Sequence, residues 1–195
     1  MTGADDRPLL ERIGACRACP DLPLGPRPIL QWSPRARILI AGQAPGRKTH
    51  ASGLPFDDAS GDRLRRWLGV SRDTFYDPDR IAILPMAFCF PGSGKGGDAP
   101  PPARCAALWR AGLLAPLTAL QLTIAVGRYA ADWHDARRAS LTERVRDWAS
   151  GWPHQILLPH PSPRNNRWLA RNPWFEEEII PRLQERVADI LSSPA

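Results

Sequence analysis

Lysine is nearly missing from this chain: of the 26 Lys and Arg side chains in its 195 residues, only Lys48 and Lys95 are lysines. Cysteine is scarce, with four in all. Long apolar runs are missing too. The closest stretch, Gly112 to Gly127, is interrupted by Pro116, Thr118, Gln121 and Thr123, short of the roughly eighteen unbroken residues that a membrane-spanning helix needs. The opening MTGADDRPLLERIG has early acids in place of the basic start and apolar core of an export signal, so a cytoplasmic location is expected. The length suits one compact core, and one domain over residues 1–195 is expected. There is no evident internal repeat.

What replaces lysine is arginine, giving a net charge of +6 and a pI near 9.8. A planar guanidinium grips two phosphate oxygens at once, so the excess suits nucleic acid. Enrichment in Ala, Arg, Gly and Pro is also what GC-rich coding writes everywhere, and charge alone supports a nucleic-acid partner only weakly.

Four short apolar runs, Ala36–Gly42, Ile81–Phe88, Leu122–Gly127 and Gln155–His160, read as buried strands. Between them DRLRRWLG from Asp62, AALWRAGLLAPL from Ala106 and LTERVRDWA from Leu141 carry helical spacing, the last with Thr142 as its expected cap. The tail from Pro173 to Ile190 also reads as helix, kinked or split at Pro181, which lacks a backbone donor. Alternation of strand and helix predicts a three-layer α/β/α fold with a short, four-stranded, mainly parallel sheet, whose binding site lies where loops leave the carboxyl ends of the strands. Three stretches follow expected strands without regular structure: GQAPGRKTHASGLPF from Gly42, PGSGKGGDAPPP from Pro91, and HPSPRNN from His160.

Cys16 and Cys19 form a C-x-x-C pair, and Cys89 and Cys105 flank the glycine- and proline-rich loop. In a reducing compartment such a set suggests a metal more than two disulfides. Its spacing fits structural zinc and a four-iron cluster alike.

The loop GQAPG, Phe56 in GLPF, the layout of Cys16, Cys19, Cys89 and Cys105, and the turn HPSPRNN together resemble the uracil-DNA glycosylase superfamily, most closely its iron-sulfur branch. The likeness runs from Cys16 to about Trp174. It implies a structural 4Fe-4S cluster on the four cysteines, with zinc as the alternative. It implies a monomeric, monofunctional DNA glycosylase that removes uracil or a related deaminated base from DNA. The competing reading is a non-catalytic nucleic-acid binder stapled by zinc.

Base removal first extracts the nucleotide from the stack, which costs a few kcal/mol and needs a pocket that rewards the extruded base. Gly42, Gln43, Ala44, Pro45 and Gly46 are expected to form one wall, and Phe56 a face on which the base stacks. His160, fixed between Pro159 and Pro161, corresponds to the superfamily histidine that stabilises charge on the departing base. Ser162 and Pro163 are expected at phosphates, and Arg164 matches the wedge that fills the vacated stack. Asn165, Asn166 and Arg167 contact phosphate or the opposite base, or cap the following turn. The chain departs from the pattern twice. Ala44 stands where some branches carry the acid or amide that places the attacking water, leaving Gln43, His50, Asp57 and Asp58 as candidates. Pro85, Met86, Ala87 and Phe88 occupy the region where an asparagine reads the uracil edge, leaving Gln43, Asn165 or backbone groups to do so.

Overall fold

The structure is a computed structural model that describes residues 8–94 and 97–193; the acidic start of the chain and Lys95 lie outside the described residues. Helix α1 (Leu9–Gly14) leads to β1 (Ile38–Ala41), α2 (Arg47–Ser52), α3 (Ala59–Leu68), α4 (Arg72–Phe75) and β2 (Ile81–Ile83). A small ribbon, β3 (Ser93–Gly94) with β4 (Gly97–Asp98), precedes α5 (Ala103–Leu114), β5 (Leu122–Val126), α6 (Arg128–His134), α7 (Leu141–Arg146) and β6 (Gln155–Leu158). Helices α8 (Asn166–Arg171) and α9 (Ile180–Ser192) follow.

Strands β2, β1, β5 and β6 make one sheet in that order, every pair parallel, with Leu39 opposite both Ala82 and Thr123 and Ala125 opposite Leu157. All four residues of β1 are buried, as a strand covered on both faces requires. Ile38, Ile40 and Ile81 pack into one core with Leu64 and Trp67 of α3 and Leu183 and Val187 of α9. Leu39 and Ala82 pack into a second core with Ile13 of α1 and Leu113 of α5. The result is the three-layer α/β/α architecture, with a sheet that is wholly parallel. Among the described residues no helix is long and apolar enough to cross a membrane.

Several boundaries differ from the sequence reading. The second strand ends at Ile83 because Pro85 cannot donate; Leu84, Met86 and Ala87 still donate to the carbonyls of Ile40, Gly42 and Gln43, so the ladder continues as a turn. Helix α7 is capped by Ser140, not Thr142: Ser140 Oγ accepts from the Glu143 amide while the Glu143 carboxylate accepts from the Ser140 amide, a complete capping box. Thr142 instead accepts a hydrogen bond from Trp168 Nε1. The loop after β1 contains α2, closed by Gly53 in the left-handed region. In the tail, a π-helical turn over Phe175–Ile179 runs directly into α9, and Pro181, which has no N–H to donate, sits at this junction.

Arg110 of α5 is 1% exposed and has no carboxylate partner among the described residues. Its guanidinium donates to the Leu84 carbonyl at 3.0 Å, just before the turn at Pro85, and meets His134 Nε2 at 2.6 Å. An arginine has only donors, so His134 must be neutral and accept at Nε2. Burial and the adjacent cation push His134 down to about 4 from 6.5. The unfolded chain therefore takes up this proton first. Stability is fully present above about pH 6.5 and falls as pH drops toward 4, by about 3 kcal/mol in all, from linkage. Thermal unfolding followed over this pH range should show that loss, and His134→Gln, whose amide oxygen still accepts, should flatten it.

Candidate active site

The carboxyl ends of β1, β2 and β6 open into a pocket of about 320 Å³. Gly42, Gln43, Ala44, Pro45 and Gly46 form the wall that leaves β1. The hydrogen bonds from Met86 and Ala87 fix this wall from one side. From the other, Gln43 Nε2 donates to the Ala99 carbonyl at 3.2 Å, which orients its Oε1 as the remaining acceptor.

Phe56 lines the same pocket, and among the described residues it is the only non-glycine residue with positive φ, at 55°. Holding a non-glycine residue there costs about 1 to 3 kcal/mol, so the surroundings must enforce it. Arg65 donates to the Phe56 carbonyl at 3.4 Å and Tyr76 OH to the Pro55 carbonyl at 2.9 Å. The first turn of α3 presses on the same carbonyl, where a Cβ on Gly61 would overlap the Phe56 oxygen. Gly42 lies beneath the ring, since a Cβ there would come within 3.2 Å of Phe56 Cζ. The ring meets Phe75 edge-on at 6.3 Å.

His160 leaves β6 through Pro159 and also lines the pocket. The Ser162 amide donates to its Nδ1 at 3.1 Å, so in the neutral ring the proton resides on Nε2. Burial lowers the basicity of the imidazole and keeps it neutral near pH 7, against the smaller opposing pull of Asp58 and Asp98. Asn165 Nδ2 donates to the His160 carbonyl at 2.7 Å. From α3, Arg63 donates to the Ser162 carbonyl at 3.3 Å and to Asn166 Oδ1 at 2.8 Å. The result is a neutral donor on a turn braced from two directions.

Ser162, Pro163 and Arg164 line the pocket, whereas Asn165 and Arg167 do not: the Asn165 amide is spent inside the turn, and Arg167 is exposed on α8. Of the water-holding candidates, Gln43 and Asp58 face the pocket, while Asp57 pairs with Arg72 at 2.9 Å and His50 is not in the lining. Asp98, Lys48 and Pro85 line it as well. Asp98 and the bracing arginines were missed by sequence reasoning. Asp98 lies in a glycine-rich stretch without periodicity, although Asp58 ahead of ASGDRL carries the signal of a helix cap.

The four cysteines lie in a separate cleft with Ile13, Phe88 and Trp109, and none lines the pocket. All are free thiols, and among the described residues no three His, Cys, Asp or Glu side chains are grouped as a metal ion would need. Burial pushes the Cys89 thiol up and Cys105 up to about 11, and the neighbouring thiols add to this. Backbone amides nevertheless point at sulfur: Phe88 N–H donates to Cys105 Sγ at 3.4 Å, and the Arg27 amide bonds to Cys89. The amides directed at Cys89 and Cys105 offer hydrogen bonds that a thiolate ligand would accept, and Cys16 and Cys19 line the same cleft.

The sequence profile of the uracil DNA glycosylase superfamily matches residues 31–184, well over half of the chain. The chain belongs to this superfamily. The match contains the glycosylase-fold sheet and every pocket-lining segment after Ile29, and it begins after Cys16 and Cys19.

Because α3 is pressed onto Phe56, Gly61→Ala should destabilise this glycosylase-family protein by about 3 kcal/mol, the upper range for overpacking. Chemical denaturation measures it, and a loss under 1 kcal/mol would contradict the contact.

Proposed function

We propose that this protein is a monofunctional DNA glycosylase that hydrolyses the N-glycosidic bond of uracil, or of a related deaminated base, and leaves an abasic site that initiates base excision repair. The observation that carries the reading is the neutral His160 imidazole, its tautomer set by the Ser162 amide, in one pocket with the Phe56 ring. The extruded base stacks on Phe56. Base stacking of this kind contributes about 1 to 3 kcal/mol. As the bond to the sugar breaks, electrons gather on the base, and His160 Nε2–H donates to a base carbonyl oxygen without prior reorganisation. Gln43 reads the base edge with its oriented amide, in place of the asparagine that Pro85 displaces. Gly42, Ala44, Pro45 and Gly46 shape the pocket, Ser162 and Pro163 meet phosphate, and Arg164 fills the gap in the stack. Arg167, exposed on α8, adds phosphate contact, and Asn165 serves by holding the His160 carbonyl.

Cys16, Cys19, Cys89 and Cys105 would hold a 4Fe-4S cluster, which would crosslink the segment after α1 to the segment after β2 and the first turn of α5; zinc is the alternative occupant. The cysteine cleft is apart from the pocket, so the cluster takes no part in base release. The protein is read as a cytoplasmic monomer of one domain.

Duplex and single-stranded oligonucleotides with one uracil, treated with protein and then alkali, should break at the lesion. Absence of cleavage with uracil, hypoxanthine and xanthine would remove the proposal and leave the non-catalytic binder. His160→Ala should slow base release by about 10²- to 10³-fold, as loss of a charge-stabilising donor does, with DNA affinity retained. Protein purified without oxygen should be brown and contain iron, and Cys105→Ser should lose that colour and melt at a lower temperature while a colourless, zinc-containing wild type would identify the other metal.

A further inference from the structure

Hydrolysis needs a group that takes a proton from water and faces the sugar as positive charge develops there, and Ala44 cannot do either. We infer that Asp58 is this catalytic carboxylate, an assignment that rests on the glycosylase reading. Asp58 lines the pocket with Phe56 and His160 and is part-buried. Its Oδ1 accepts from the Gly61 amide at 3.0 Å as the cap of α3, which fixes the carboxylate plane. Its second oxygen has no protein partner among the described residues and is available to water. The alternatives are less suited. Gln43 has no basic atom, and its amide is engaged with Ala99. Asp57 is bonded to Arg72 outside the pocket. Asp98 sits exposed on the ribbon with its Oδ1 bonded to Ser93 Oγ at 2.9 Å.

In the reaction the C1′–N bond breaks with its electron pair leaving on the base, toward His160. Water oxygen forms the new bond to C1′, and its proton passes to Asp58 and from there to solvent or the departed base. The carboxylate also opposes the sugar's positive charge before water adds. The pocket thus places a neutral donor on the base side and an anion beside the sugar, matching the charge separation of the transition state.

Asp58→Asn tests this cleanly, because asparagine caps a helix as well as aspartate does, so α3 should keep its stability. Single-turnover release of uracil should fall by about 10²-fold or more, the range for loss of a general base. Asp57→Asn removes the same charge one residue away and should leave the rate within threefold. The second readout is binding. Wild type and Asp57→Asn should prefer an oligonucleotide with a cationic pyrrolidine sugar over one with neutral tetrahydrofuran, and Asp58→Asn should lose that preference at unchanged melting temperature. An Asp58→Asn protein that releases uracil within threefold of wild type, or keeps the cation preference, overturns the assignment while the glycosylase reading stands. A wild type inert toward all three deaminated bases overturns that reading and this assignment with it.

Discussion

The contact between the first turn of α3 and the backbone of Phe56 is the constraint on which the pocket depends. With no side chain on Gly61, the helix reaches the Phe56 carbonyl and holds that residue at a φ that aromatic residues avoid. The same helix sends Arg65 to the Phe56 carbonyl, Arg63 to the His160 turn, and its cap Asp58 into the cavity. One ten-residue helix therefore sets the distance between the aromatic shelf and the imidazole, packed below against α9 through Leu64 and Trp67.

Arginine, so abundant in this chain, acts here chiefly as scaffolding. Arg63, Arg65 and Arg110 each donate to one backbone carbonyl of a segment that bounds the pocket, and the planar guanidinium directs a further bond to a side chain, Asn166, Asp62 and His134 respectively. Arg65 also lies over Phe75 and Tyr76, at 5.3 and 5.7 Å from the ring centroids. Part of the arginine content thus serves the fold itself, and composition overstates how many guanidiniums are open to phosphate.

The four strands and the alternation with helices were legible because apolar runs of that length, bounded by glycine and proline, have few other uses. The boundaries were less so: the run Ile81–Phe88 is apolar throughout, and only the proline within it marks where the ladder turns. Within the pocket, GQAPG, Phe56 and HPSP could be read as local motifs. Asn165 could not be placed, since an amide beside a histidine can face a ligand or its own turn, and here it closes the turn. Arg63 and Asp98 reach the pocket region through tertiary packing, which no spacing within the sequence encodes.

The segment that leaves at Cys89 and returns at Cys105 begins and ends in the thiol cleft, while its middle supplies Asp98 to the pocket and the Ala99 carbonyl to Gln43. Its ribbon also presses Gly97 against Arg164, where a Cβ would collide with the guanidinium. The cleft and the pocket are therefore linked twice, through this segment and through Ala87, which lines the cleft and donates to the Gln43 carbonyl, so parting those sulfurs would loosen the rim through which a nucleotide would enter.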